Sequence, residues 1–184
     1  PIGAVVVCDG QIVGRGHNLR ERDHDPTAHA EICALRQAGQ TLGSWRLANC
    51  TLYVTMEPCP MCCGALINSR IDTVVYGASE PKFGSAGSQL NLLQFPGFNH
   101  NVHIVGPIDQ QRCSQLMKDF FSQLAAKNNP TYGDVPKWLK GPDSKSCGAF
   151  GFPSSEILDI WCFLDYAVSS RLVSIYAFSM LCAE

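Results

Sequence analysis

Two short segments constrain this chain more than any other feature: Thr27-Ala28-His29-Ala30-Glu31 and Glu57-Pro58-Cys59-Pro60-Met61-Cys62. Side chains at i and i+3 are neighbours on a helical turn, so Cys59 and Cys62 can share a tetrahedral ion. His29 adds a third ligand of a type that zinc accepts. One position is then left for water, which is the pattern of a catalytic rather than a closed structural zinc. Glu31, two residues beyond the histidine, is the carboxylate placed to carry a proton for that water. Cys-x-x-Cys at a helix start also fits a redox pair, but His29 and Glu31 argue against that reading.

The segments around these residues alternate between strand and helix patterns. Residues 2–7 and 11–16 are apolar runs separated by Asp9-Gly10, which predicts a hairpin, and Gly14-Arg15-Gly16 marks a bend or bulge in its second strand. Thr27 is expected to cap a helix over 28–38 that Gly39 ends. Residues 51–56 read as a strand, after which Pro58 opens a second helix to about Ser69, with both thiols in its first turn. The positive end of that helix favours thiolates. A strand over 71–76 leads to the Gly/Ser-rich loop 77–88, expected at the lip of a substrate cleft. Then come a short helix over 88–95, a fifth strand over 102–105 and an amphipathic helix over 110–127, with Leu116, Phe120, Phe121 and Leu124 on its apolar side. Strands alternating with helices predict a layered α/β domain.

The chain has 184 residues, 46% of them hydrophobic, enough for one sizeable core. A formal charge of −2 gives no global field that argues for nucleic acid or membrane, so any RNA contact must be local. Ten cysteines without a signal-like start point to a reducing compartment rather than a disulfide framework. Cys63, beside the metal-type pair, reads as a buried small hydrophobe, and His17, His24, His100 and His103 as surface or structural residues. After residue 127 the composition changes. Residues 128–155 read as a Pro/Gly-rich linker, and 156–184 as an apolar tail of unassigned role in which Asp159, Asp165 and Arg171 interrupt any membrane-length run.

Taken with its surroundings, the double motif resembles the zinc-dependent cytidine/deoxycytidylate deaminase superfamily and, within it, the bacterial-type tRNA-specific adenosine deaminases. The likeness is carried by Asp25-Pro26-Thr27-Ala28-His29-Ala30-Glu31-Ile32, Leu52-Tyr53-Val54-Thr55-Met56-Glu57-Pro58-Cys59, Asn68-Ser69-Arg70-Ile71 and Phe95-Pro96-Gly97-Phe98-Asn99-His100, and it spans residues 1–127. It implies a cytidine-deaminase-like three-layer α/β fold: a five-stranded mixed sheet with helices on both faces, the two zinc-bearing helices side by side on one of them. The chain starts at Pro1 inside a strand, so the helix with which that family opens has no counterpart in it.

The same resemblance implies one Zn2+ per subunit on His29, Cys59 and Cys62, with Glu31 as the catalytic proton shuttle. It implies hydrolytic deamination of adenosine to inosine at the wobble position of a tRNA anticodon loop, where the base must be extruded into a pocket. Asn18 matches a position that hydrogen-bonds the flipped nucleotide, and Ala30 with the backbone near Pro58 and Cys59 would line the pocket. Glu80, Lys82, Phe98, Asn99, Phe120 and Phe121 fall in segments that shape the RNA-binding cleft. A homodimer with no membrane association is implied, in the cytoplasm, or in an organelle if a targeting segment is missing from the start. The motif alone leaves two alternatives: deamination of another base (cytosine, guanine or deoxycytidylate), and a non-catalytic zinc-binding partner subunit.

Overall fold

In the computed structural model the described residues are 1–128; the linker and apolar tail assigned beyond them lie outside the described residues. Strand β1 (Gly3–Cys8) pairs antiparallel with β2 (Gln11–His17) through the Asp9-Gly10 turn. Both turn residues take positive φ, 48° and 75°, which lets a two-residue connection follow the strand twist. Strand β3 (Cys50–Met56) pairs antiparallel with β1. Strands β4 (Thr73–Ala78) and β5 (His103–Val105) then continue parallel to β3, giving the order β2-β1-β3-β4-β5. This is the expected five-stranded mixed sheet.

A parallel step needs a crossover, and helix α3 (Pro60–Ser69) supplies it between β3 and β4. A single turn, α1 (Arg20–Asp23), and helix α2 (Ala30–Leu42) lie between β2 and β3, and α4 (Gln110–Asn128) follows β5. The two-residue alternation of the strands sorts the core. Ala4, Val6, Leu52, Val54 and Val74 pack with Ala30, Ala34, Leu66 and Ile67 of α2 and α3. Val5, Tyr53, Val75 and Ala78 pack on the opposite face with Cys113 of α4. Helices therefore cover both faces, as expected.

Several boundaries differ from the sequence reading. Thr27 does not cap α2: its N–H and hydroxyl both donate to Asp25 Oδ1, at 2.8 and 2.7 Å, and so stabilise a turn before the helix. The N-cap is His29, in extended conformation. Gly39 does not end the helix either; Gly43, at φ 63°, takes the left-handed cap. Helix α3 begins at Pro60, not Pro58, so that Cys59 is its N-cap and the proline ring sits where no amide donor is needed. Residues 88–95 form no helix. Asn91 Oδ1 accepts the N–H of Gln94 at 3.2 Å, a local bond that competes with helical pairing, and Ala86 bridges to Asn91. On α4 the buried contact is Cys113, whereas Phe121 is 51% exposed and lies off the apolar side.

The glycines of β2 have a different use from the one their spacing predicts. The register does shift between Val6 and Val7, as a bulge requires. What demands glycine, however, is α2. A Cβ on Gly14 would overlap the carbonyl oxygen of Ala34, and one on Gly16 that of Ala30. Helix and strand thus touch backbone to backbone at two points one pleat apart. Gly16→Ala is expected to lower the unfolding free energy by about 2–3 kcal/mol in urea titrations, because helix and strand must separate to admit the methyl group. A stability within 0.5 kcal/mol of the parent, a figure on the order of an ordinary surface change, would contradict this close approach.

Candidate active site

Helices α2 and α3 pack beside each other and both begin at the same place. His29 stands at the N-cap of one, Cys59 at the N-cap of the other, and Cys62 in the first turn of the latter. Nδ1 of His29 lies 3.6 Å from Sγ of Cys59 and 3.6 Å from Sγ of Cys62, and the three ligand atoms all fall within 4.8 Å of one another. A tetrahedral zinc, with bonds of about 2.3 Å to sulfur and about 2.0 Å to nitrogen, requires a nitrogen–sulfur separation of roughly 3.5 Å. The donor set and its spacing fit that ion. Among the described residues no other group of three such side chains converges in this way.

Electrostatics follow from the two helix starts and from burial. The thiol of Cys62 donates to Cys59, which holds Cys59 down to about 5 against the opposing effect of burial; backbone N–H groups of Cys62 and Met61 and the nearby His29 assist. The same hydrogen bond, with burial, pushes Cys62 up. Both thiols must be deprotonated to act as metal ligands. Glu31, 4% exposed, is pushed by burial up to about 7. Its own backbone N–H and the neighbouring Cys62 side chain oppose that rise without cancelling it. A carboxyl of this kind is poised to change protonation near neutral pH.

The remaining residues singled out in the sequence divide into those beside this cluster and those away from it. Ala30 follows His29 and is fully buried, and Pro58, also buried, precedes Cys59. Asn18 is half-buried at the end of β2, its Oδ1 accepting the N–H of Arg20 at 3.1 Å. Glu80 lies in the loop after β4, where its Oε1 accepts the N–H of Lys82 at 2.9 Å, and Lys82 is exposed. Asn99 and the paired rings of Phe95 and Phe98, 5.1 Å apart, are exposed on the segment before β5, with Asn99 Oδ1 held by Arg70 at 2.7 Å. Phe120 and Phe121 belong to α4 and so to the opposite face of the sheet from the ligands. Cys63 is buried and donates to the Pro58 carbonyl rather than joining the cluster.

Two residues escaped the sequence reading. Glu57 is 3% exposed, and three backbone N–H groups and one hydroxyl donate to its carboxylate. Those bonds hold it below its ordinary value although burial alone would raise it. Phe83 is 68% exposed at the tip of the loop after β4. Nothing local in the sequence distinguishes a buried glutamate before Pro-Cys from an exposed one; an aromatic residue between Lys82 and Gly84 in a polar loop was the available signal for the other.

Comparison with known proteins places this geometry among deaminases. A family profile described as MafB19-like deaminase matches residues 1–125. The chain is 47% identical over 127 residues to a tRNA-specific adenosine deaminase of Bacillus subtilis, covering 69% of this chain and 79% of that protein. It is 44% identical over 124 residues to one of Haemophilus influenzae, covering 67% and 72%. A solved structure from work on A-to-I editing by tRNA:A34 deaminases at the wobble position of transfer RNA is similar at 38% identity and a TM-score of 0.60, over 62% of this chain and 83% of that one. A guanine deaminase from Nitrosomonas europaea, at 24% identity and a TM-score of 0.58 over 66% and 73% of the two chains, shares the fold alone.

Removal of one ligand tests the cluster directly. His29→Ala is expected to reduce the zinc retained after dialysis from about one ion per chain to well under a tenth, measured by plasma mass spectrometry. Retention of a full equivalent would exclude His29 from the ligand set.

Proposed function

Because the chain belongs to the tRNA-specific adenosine deaminase family, we propose that its His29, Cys59, Cys62 and Glu31 constitute the active site for converting adenosine to inosine in tRNA. The protein is a hydrolase of tRNA adenosine. The observation that carries the site assignment is the convergence of a buried, proton-accepting Glu31 with a His/Cys/Cys set of zinc dimensions at two helix N-termini. His29, Cys59 and Cys62 would hold Zn2+, one per chain. When bound there, zinc acidifies a water molecule enough for it to be used as a nucleophile at neutral pH.

The chain's own groups do the rest. Glu31 accepts a proton as water oxygen adds to adenine C6 and returns it to the ring nitrogen beside that carbon. Its second transfer accompanies departure of the exocyclic amine as ammonia, so water enters, ammonia leaves and inosine remains. Burial of Glu31 keeps bulk water from competing for that proton. Ala30 and Pro58, small or rigid and adjacent to the ligands, would bound the base, and Asn18 would hydrogen-bond the extruded nucleotide.

The wobble adenosine of an anticodon loop is the substrate we assign, supported by the likeness to a tRNA:A34 deaminase structure. Glu80, Lys82 and Asn99 would contact the surrounding RNA, and Phe121 would do so only from the far end of α4, about 16 Å along the helix from Gln110. A homodimer in the cytoplasm completes the reading. Among the described residues no helix is long and apolar enough to cross a membrane.

The zinc-loaded chain is expected to produce inosine at the first anticodon base of a stem-loop carrying adenosine there, and to leave a loop cytidine intact, as read by mass spectrometry of the digested RNA. Conversion of the cytidine instead would transfer the chain to a different base specificity. Glu31→Gln should keep its zinc and lose at least about 100-fold in turnover. Near-parental turnover in that variant would remove Glu31 from the proton path. Sedimentation equilibrium should give twice the chain mass; a monomer active on the stem-loop would refute the dimer.

A further inference from the structure

Among the described residues two carboxylates are buried, Glu31 and Glu57, and only the first has a part in the proton path. Glu57 is one residue from Pro58 and two from Cys59, yet its side-chain bonds all run to the segment 80–88. Oε2 accepts the N–H of Glu80 at 3.0 Å, Oε1 accepts those of Ala86 at 3.0 Å and Ser88 at 2.9 Å, and the Ser88 hydroxyl donates a further short bond to Oε2. The segment closes on the carboxylate so tightly that a Cβ on Gly84 would overlap Glu57 Oε2. Ser85 N–H also donates to the Pro58 carbonyl at 2.9 Å. The loop is thereby tied to the turn that carries Cys59.

This segment contains Gly84, Ser85, Gly87 and Ser88, residues that favour turns over regular structure, and its local bonds, such as Gly84 N–H to the Glu80 carbonyl and Lys82 N–H to Glu80 Oε1, each at 2.9 Å, add to the hold of Glu57. Fixing such a backbone costs entropy, and a ligand that must order it loses affinity by that amount. A buried carboxylate cannot be left without donors, so the same segment is held in place whether or not a ligand is present. What it holds outward is Lys82 and Phe83, a cation and a 68% exposed aromatic ring, the pair of groups that single-stranded RNA engages through phosphate contact and base stacking.

We propose that Glu57 is a positioning residue for RNA binding: its carboxylate pre-folds residues 80–88 into a rigid lip beside Cys59, so that Lys82 and Phe83 meet the anticodon loop already in place. The proposal rests on the tRNA reading given above. Glu57 acts through the lip and touches neither the base nor the metal.

The test uses the full zinc-loaded chain, a fluorescein-labelled anticodon stem-loop with adenosine at its first anticodon base, and the variants Glu57→Gln and Ser88→Ala. Ser88→Ala removes one donor without altering the buried charge, and it carries the test if Glu57→Gln fails to fold. Anisotropy titration should show the dissociation constant rising about tenfold for Glu57→Gln and about threefold for Ser88→Ala, the scale of lost hydrogen bonds to a charged group. KM should rise in parallel and kcat stay within about twofold, since only a binding step is affected. Amide hydrogen exchange should accelerate over 80–88 and remain unchanged over 60–69.

Faster exchange with an unchanged dissociation constant would reduce Glu57 to a structural role and overturn the proposal. So would a fall in kcat at constant KM, or unaltered exchange. A parent protein that binds the stem-loop but yields no inosine refutes the deamination reading while leaving the binding comparison decisive. A parent that does not bind the stem-loop removes the substrate assignment and this proposal with it.

Discussion

The backbone contact between α2 and β2 is the constraint on which the rest of the site depends. Gly14 and Gly16 let Ala30 and Ala34 approach without intervening side chains, and this closeness sets where the first turn of α2 ends up. His29 and Glu31 belong to that turn, so their positions are decided on the hairpin. Cys59 and Cys62 are placed independently, by the exit of β3 into α3. A helix moved by the width of a methyl group would separate nitrogen from sulfur by more than a metal bond can absorb. Packing of the smallest residues in the chain is therefore inseparable from its chemistry.

Two glutamates near the ligands show how one residue type acquires opposite properties. Each is almost fully buried. Glu31 has few donors, so desolvation dominates and raises it to about 7. Glu57 is buried to a similar degree, but Glu80, Ala86 and Ser88 surround it with donors and hold it low. Donors to Glu57 outweigh its desolvation and those to Glu31 do not, which separates a group that exchanges protons from one that stays charged. Burial pushes the Cys63 thiol up, and the charges of Cys59, Glu31 and, least of the three, Glu57 act in the same direction. Cys63 thus remains outside the metal chemistry although it adjoins Cys62.

The mixed sheet and the convergence of His29, Cys59 and Cys62 were legible because each has a local signature. Asp9-Gly10 specifies a hairpin, Cys59 and Cys62 specify helical spacing, and β-branched runs specify strands. What misled was capping. Thr27, Gly39 and Pro58 all carry the right chemistry for helix ends, but each has a competitor a few residues away that wins on tertiary grounds: His29, Gly43 and Pro60. The helix expected over 88–95 failed for a related reason, since Asn91 bonds Gln94 locally and the preceding segment is committed to Glu57. Glu57 itself was unreadable because burial of a carboxylate depends on donors that are more than twenty residues away in the chain.

The ligands we assign come from segments before and after β3 in the sequence, thirty residues apart along the chain. Pairing of β3 between β1 and β4 is what brings His29 to the Cys59–Cys62 pair, and two thiolates alone would bind zinc less tightly than three ligands with shared geometry. Full coordination is thus available only to a molecule whose central strand is already in place. Loss of zinc from the loaded chain into a chelator should then keep time with the opening of the sheet as a whole rather than with fraying of its loops, which would make the ion a clock for global unfolding.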